Sequence, residues 1–455
     1  MVQTNVNTPY DFIISKVVIN SQRMISDFDI SNVTMDVSIF EHIDKPYLTA
    51  QILFLDQIDL VSKMNLLGTE EVYIEITKDL NDPAELSVKH TFRISHIELS
   101  KKANDTNEIH KLHLVEETAY RSAITRINRT FTGSAADIIF DICFDYLDQL
   151  VLFTPEAQTA LNKRLKVHIP NLTPYEAVNW IKDRCFTETG SPFYLHASIG
   201  DSILRFADLE SIVRFPAYNS DRPFVYSQAL MNDTIDKDTQ AQGRSIISYQ
   251  TLNQEDTLSF YRDGMVNADY NFVDTLTGVN HRVKFDMNKV YDDFLESRAI
   301  SGQKLLDDQT FIGDQKMIDY STREMVQIAT SQTYEDFANY YEDFEETHAL
   351  KPTARALRSW VLKPEIQITL PGREFIKVGE NRSLGITIAV EFNKNTEAAE
   401  FLQEYSKPID YKKSGKYFIY AARHTFSNNT YFVNLSLGKL SHLTSSTIPQ
   451  TQTDF

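Results

Sequence analysis

Leu48-Thr49-Ala50-Gln51-Ile52-Leu53-Phe54 puts an apolar side chain at every second position from Leu48 to Phe54. A pleated strand alternates its side chains between two faces, so this spacing predicts a strand with one buried face. Upstream, Val33, Met35, Val37 and Ile39 alternate in the same way, and a turn holding Asp44 and Pro46 separates the two runs. Val72, Ile74 and Ile76 form a third run. Phe92 and Ile94 lead to Ile97 and Leu99, so the phase slips near Ser95-His96, which predicts a β-bulge. A polar stretch from Lys101 to Asn107 precedes a return strand through Leu112 and Leu114. Short strands at regular spacing predict a first β-barrel over residues 1–118.

Residues 119–230 mix helix and strand signals and predict a small α+β domain. Ser134 followed by Asp137 is a helix start, and Ile138, Ile142, Tyr146 and Leu150 would share one face. Thr173-Pro174-Tyr175-Glu176 combines an N-cap, a proline at the first helical position and a capping-box glutamate. Ala177, Trp180, Ile181 and Cys185 would form that helix's apolar stripe, ending near Thr189-Gly190. Phe193 to Leu195 and Ile203 to Phe206 predict a hairpin around Gly200-Asp201.

Residues 231–286 return to strand-like patterning around Ile247, Tyr249, Val266, Tyr270 and Phe272, the expected first part of a second barrel. Residues 287–350 carry fourteen Asp plus Glu against five Lys plus Arg. Phe337, Tyr340, Tyr341 and Phe344 keep helical spacing there, so the segment predicts an acidic helical insertion. Residues 351–442 turn basic, and the runs Ile366 to Leu370, Leu384 to Phe392 and Tyr431 to Leu437 would complete the second barrel. Residues 443–455 are polar and predict a flexible tail.

A faint repeat links the two ends. Gly68-Thr69-Glu70-Glu71 leads into one strand and Gly379-Glu380-Asn381-Arg382 into another, and each region closes with a hairpin, 92–115 and 417–437. The expected fold is therefore mixed α+β and β-rich. It has two related antiparallel β-barrels, an α+β domain between them and a helical insertion in the second barrel.

Composition limits the function classes. The chain has 455 residues, 42% hydrophobic and 24% charged, which is globular and long enough for about three domains. Phe and Tyr number 28 and 22 against 14 Gly, a balance that suits filled sheets better than glycine-rich phosphate loops. No stretch approaches the ~18 apolar residues of a membrane helix. The polar start from Met1 to Pro9 resembles neither a secretory signal nor a transit peptide. A net charge of −18 argues against gripping nucleic acid by its phosphates. Cys143 and Cys185 are too few for a disulfide framework or a zinc site and are expected as buried apolar residues.

No nucleophile elbow, Walker loop, dinucleotide fingerprint or zinc-protease motif occurs. His110 and His113 would lie on opposite faces of a strand, and His96 and His424 are expected to be structural. The cluster Glu335, Asp336, Glu342, Asp343, Glu345 and Glu346 lacks the calcium-loop pattern and its glycine. Lys412, Lys413 and Lys416 form a small basic patch in a hairpin loop. No catalytic, cofactor-binding or metal residue is identified, and no cofactor is expected.

Three stretches together resemble the baseplate hub proteins of T-even-type contractile-tailed phages, and the related N-terminal part of type VI secretion spike proteins. The first is Leu66-Leu67-Gly68-Thr69-Glu70-Glu71-Val72 through Ile76. The second runs from Leu172-Thr173-Pro174 through Trp180 and Gly190-Ser191-Pro192-Phe193 to Phe206. The third holds Leu370-Pro371-Gly372, Val378-Gly379-Glu380, Ser414-Gly415, Arg423-His424 and the run from Tyr431 to Leu437. Asp263-Gly264-Met265 to Phe285-Asp286 resembles the family's approach to its second barrel, whereas 287–350 has no counterpart.

The resemblance implies a non-enzymatic homotrimer, a ring of six barrels that adapts a sixfold tail tube to a threefold central spike. Its partners would be the spike, the tube or tube-initiator protein and other baseplate proteins. DNA would cross a central channel without specific binding, net acidity keeping the wall from holding phosphates. No membrane insertion is implied; the protein would belong to the virion and assemble in the host cytoplasm. The competing readings are a tail-associated cell-wall hydrolase, and a receptor- or carbohydrate-binding β protein.

Overall fold

The computed structural model describes residues 12–442 apart from 22, 24–26, 58, 78–86, 103–106, 161–163, 227–242, 253–256, 275–277, 297–302, 305–309, 330–339, 363–365, 378–379 and 394–408. The first strands are β1 (Ile13–Asn20), β2 (Thr34–His42), β3 (Thr49–Asp56), β4 (Glu71–Thr77), β5 (Ser87–Lys102) and β6 (Glu108–Glu116). They pair antiparallel in the order β2-β3-β6-β5-β4-β1. The Ile30 N–H donates to Val17 O at 2.9 Å and draws the approach to β2 back onto β1.

Period two holds through this half. Leu48, Ala50, Ile52, Phe54, Val72, Ile74 and Ile76 are all at most 2% exposed. Each such aliphatic or aromatic side chain contributes about 1.5–3 kcal/mol by leaving water. The slip near Ser95 is real, since pairing with β6 steps from Ile94 directly to His96. The alternation expected at Val33 and Met35 is not. Val33 ends a single 3-10 turn, and Met35 falls at a register shift between Thr34 and Asp36, which leaves it 45% exposed.

The middle of the chain contains α1 (Glu117–Ile124), β7 (Ile127–Ser134), α2 (Ala135–Leu147), β8 (Val151–Phe153), β9 (Arg164–Leu172), α3 (Pro174–Lys182), β10 (Phe193–Ser198), β11 (Asp201–Asp208) and α4 (Leu209–Arg214). Both helix starts form as the sequence predicts. Ser134 Oγ accepts from Asp137 N, and Thr173 and Glu176 complete a reciprocal capping box. The helix ends differ. Asp148 caps α2 in the left-handed region at φ 56°, so Leu150 leaves the stripe and is 52% exposed. Helix α3 stops at Lys182, so Cys185 lies beyond it.

Downstream come β12 (Phe224–Tyr226), β13 (Ser248–Thr251), β14 (Asn267–Asp274), β15 (Asn280–Asp286), α5 (Met287–Glu296), β16 (Glu324–Ala329), α6 (Tyr340–Val361), β17 (Ile366–Pro371), β18 (Thr387–Phe392), β19 (Gly415–Ser427) and β20 (Thr430–Gly438). Strands β13-β17-β20-β19 form one run, β19 also pairs β18, and β18 pairs β12 in parallel. Val225 bridges Ser245, which returns β12 to the approach to β13.

These partners differ from the expected segments in three places. Strand β12, expected in the α+β domain, belongs to the large sheet. Strands β14 and β15 were expected to open the second barrel but pair with β16 in a separate three-stranded sheet. The inserted stretch is therefore not purely helical and begins before residue 287. It folds over a core around Phe272, Phe285, Met287, Tyr291 and Trp360 that it shares with Ile43, Tyr194, Leu209 and Phe418 of the neighbouring elements. Helix α6 also runs past residue 350 to Val361, because Ala356, Leu357, Trp360 and Val361 bury one face in that core. Glu335, Asp336, Phe337 and the tail 443–455 lie outside the described residues.

The two halves are joined edge to edge. Strand β19 pairs β2 from Ala421↔His42 to Ser427↔Asp36, giving one continuous sheet, β13-β17-β20-β19-β2-β3-β6-β5-β4-β1. The halves also share a plan. Taking the strands of each half in chain order as a to f, both halves have the spatial order b-c-f-e-d-a.

Register agrees as well. Val37↔Ile52↔Leu112 across b, c and f of the first half matches Tyr249↔Ile368↔Leu435 in the second. The bulge in strand e falls at the same step, Ile94/His96 and Ile419/Ala421. Only strand a differs, running antiparallel to d in the first half and parallel in the second. The faint sequence repeat sits at the start of d in the first half and just before d in the second.

Candidate functional site

The junction of β19 with β2 holds the most distinctive buried chemistry. Glu41 continues the inward phase of Val37 and Ile39, and His424 that of Ala422, so the strands carry both side chains inside. His424 Nε2 lies 3.0 Å from Glu41 Oε2, and both side chains are fully buried. The Tyr431 hydroxyl lies 2.6 Å from His424 Nδ1. Glu41 Oε1 accepts the backbone N–H of Ile199, which ties the junction to the middle domain.

Burial pushes the Glu41 carboxyl up, but the facing His424 and the Ile199 N–H outweigh it and hold the group below the usual carboxylate range. Nearby, Glu116 accepts the Leu48 N–H at 2.8 Å. Burial, with Glu41 close by, raises its carboxyl to about 7. The arrangement can lock strands in register: Tyr431, His424 and Glu41 form one chain of hydrogen bonds whose members are all buried away from solvent.

Outside this polar core, the other face of the junction forms a cleft of about 710 Å³ crossing β13, β17, β20, β19, β2 and β3. Its outward positions are small and polar, and they bond to one another across strands. Ser248 Oγ donates to Thr369 Oγ1 at 3.0 Å, Thr369 Oγ1 to Asn434 Oδ1 at 2.7 Å, and Gln367 Nε2 to Ser436 Oγ at 3.2 Å. Arg423 lies over the Phe40 ring at 5.4 Å and donates to Ser38 Oγ at 3.2 Å. Lys45 also lines the cleft. This face is polar, with two cations on it.

The residues singled out by sequence are dispersed. His110 is buried against Phe54 with Glu108 at 3.5 Å, while His113 is on the other face, 3.1 Å from Glu98. His96 pairs directly opposite His113, their rings 5.6 Å apart, an adjacency that follows from the bulge. Cys143 is buried as expected, whereas Cys185, lying beyond the end of α3, is half-buried; desolvation pushes both thiols up to about 12. Glu342, Asp343, Glu345 and Glu346 lie on α6.

Lys416 of the basic patch is turned inward, where its Nζ donates to the Val213 and Phe215 carbonyls at the end of α4. Burial lowers it to about 8. Among the described residues no group of three or more His, Cys, Asp or Glu is placed to hold a metal, and no helix is long and apolar enough to cross a membrane. Sequence reasoning missed Glu41 and Glu116. The signal for Glu41 was its place in the inward phase of β2, and nothing local marks Glu116.

No family model matches the sequence, and no curated protein matches it. Among solved structures, the chain is similar to the tail protein from Neisseria meningitidis MC58. That match has 13% identity and a TM-score of 0.50 and covers 94% of this chain and 97% of that one. It is also similar to the 43 kDa tail protein of prophage MuSo2 from Shewanella oneidensis. There the identity is 8% and the TM-score 0.51, with 93% and 98% of the two chains covered. The β-rich fold with its large antiparallel sheet is thus the fold of these two tail proteins, matched over nearly their whole lengths.

Proposed function

We propose that this chain is a structural component of a phage-type tail, a baseplate hub whose three copies form a ring of six barrel units between a sixfold tube and a threefold spike. The observation that carries this reading is the duplicated strand plan. One chain supplies two units with the same strand order, register and bulge position, joined through one sheet. Three such chains present six nearly equivalent units, so a threefold object can meet a sixfold one. The fold shared with two tail proteins supports the same reading.

On this reading the continuous sheet faces the channel. Its small polar side chains already bond one another, which leaves little for passing DNA to engage. Arg423 is held in place by Phe40 and Ser38, and with Lys45 it leaves the face only sparsely charged. The role needs no catalysis, and the protein would belong to the virion and be assembled in the host cytoplasm. The spike, the tube or its initiator and other baseplate proteins would be its partners.

Light scattering tests the proposal. The chain alone is expected at about 157 kDa, three times 52.4 kDa, or as three copies per complex once its spike is added. A monomer under both conditions at micromolar concentration overturns it.

A further inference from the structure

Ser95 is the extra residue of the bulge in β5. Pairing with β6 steps from Ile94↔Leu114 to His96↔His113 and passes over it. Ile94 is buried, so in an unbroken strand His96 would point inward with it. The bulge turns His96 out instead, exposed and directly opposite His113. Ser95 Oγ donates to the His113 carbonyl at 3.0 Å and fastens the bulge to β6. The second half has the same bulge, but there it sets Ala421 opposite Ser436. Gln51, beside His113, has a counterpart in Gln367 beside Ser436. The shared plan therefore keeps the bulge and the glutamine without needing an imidazole at either position.

Three side chains that can ligate a metal meet here. The rings of His96 and His113 lie 5.6 Å apart. Glu98, two residues on from His96 and on the same face, places Oε2 3.1 Å from His113 Nε2. The other nitrogen of that ring, Nδ1, lies 3.3 Å from the Gln51 amide nitrogen. As they stand the three groups do not converge on one point, because Glu98 and His113 satisfy each other. His96 is exposed and the Glu98 side chain is half exposed, so both are free to turn.

We propose that His96, His113 and Glu98 form a site for one divalent transition metal of the zinc type, with water completing its shell. The ion takes the place of the hydrogen bond between His113 Nε2 and Glu98 and draws a lone pair from each. The ring proton then sits on Nδ1 and is donated to the Gln51 amide oxygen, the kind of outer partner that orients a metal-bound histidine. With Zn–N bonds of about 2.0–2.1 Å, two imidazoles on one tetrahedral ion have ring centres roughly 5 Å apart, so the rings need to close by only about half an ångström. Two imidazoles and one carboxylate suit zinc, cobalt or nickel, whereas magnesium and calcium take oxygen ligands. Lys111 lies opposite Glu98 and is the cation that the ion must displace from that carboxylate. A bound ion would pin the long strand β5 to β6 just past its bulge. The site lies within one chain and does not depend on the hub reading.

The test is metal titration of the full chain at pH 7.5, with Zn2+ by calorimetry and Co2+ by visible absorption. One Zn2+ per chain should bind at micromolar concentration, and Co2+ should give the intense d–d bands of a tetrahedral site. Mg2+ should not compete. His96→Ala/His113→Ser copies the pair that the second half carries, so it should fold, as circular dichroism checks, and should lose the site. Glu98→Gln should weaken Zn2+ about tenfold. His168→Ala, which removes an exposed histidine of β9, should change nothing. No saturable Zn2+ binding below millimolar concentration, or binding that persists in His96→Ala/His113→Ser, would overturn the proposal.

Discussion

Removing the His424 imidazole should be among the most damaging single changes in the sheet. Glu41 and His424 are both fully buried, and the imidazole is the cationic or hydrogen-bonding partner of Glu41 Oε2. His424→Leu keeps an apolar side chain of similar bulk but leaves a buried carboxylate without its imidazole partner, held by the Ile199 N–H alone on its other oxygen. Such a loss costs about 3–5 kcal/mol. Spread over the domain it should lower the melting temperature by roughly 10 °C. Glu41→Gln alone should cost about 1–2 kcal/mol, because the amide oxygen still accepts the Ile199 N–H. The double variant Glu41→Gln/His424→Leu has no charge left unpaired and should recover about 2 kcal/mol relative to His424→Leu.

The penalty should also shrink in acid. Glu41 has a lowered pKa in the native protein, so its contribution is present above 4.5 and is lost as pH falls through the native value. Without His424, protonation relieves the buried charge. Urea unfolding followed by circular dichroism at pH 5 and pH 8 measures all four corners of the cycle. Single costs below 1 kcal/mol that simply add in the double variant would refute the idea that this pair locks the junction.

Two other expectations are independent of that pair. Glu116 titrates at about 7 against 4.5 when unfolded, so the native chain holds the extra proton between those values. Its contribution is full below 4.5 and lost as pH rises through 7. Relative to Glu116→Gln, the wild type should lose about 3 kcal/mol between pH 4.5 and 7.5, and parallel stability curves would place the carboxyl in water. Gly372→Ala would drive its Cβ into the Tyr431 ring, which bonds His424. A cost above 2 kcal/mol in the same urea assay is expected, and a neutral effect would mean that the ring moves aside freely.

The parts of the fold legible in sequence were those set by local geometry. Period-two runs placed β3, β4 and β6, a phase slip placed the bulge in β5, and capping residues placed the starts of α2 and α3. Failures came where partners decide. Strands β14 and β15 read as strands, but nothing in their alternation says that they pair with β16 and not with β17. The helix ends at Asp148 and Lys182 depend on backbone conformation that apolar spacing does not encode. At the junction, His424 was visible as a histidine in a strand. Its partner Glu41 lies more than 380 positions away in the chain, so the pairing waited on the topology.

That pairing also explains how a duplicated chain avoids joining wrongly. The shared plan gives the chain two e strands, β5 and β19, and two b strands, β2 and β13, and strand order alone does not choose which e edge closes on β2. Glu41 does. Its carboxyl sits inside β2 and needs the imidazole that β19 supplies, whereas β5 offers Leu99 at the corresponding position. Setting β5 on β2 would leave the buried carboxylate without its imidazole, a loss of about 3–5 kcal/mol, or roughly 150- to 5,000-fold in preference. The correct junction gains little net stability from the ion pair, since both groups are taken out of water to make it. What it gains is discrimination, so β19 closes on β2 within the chain.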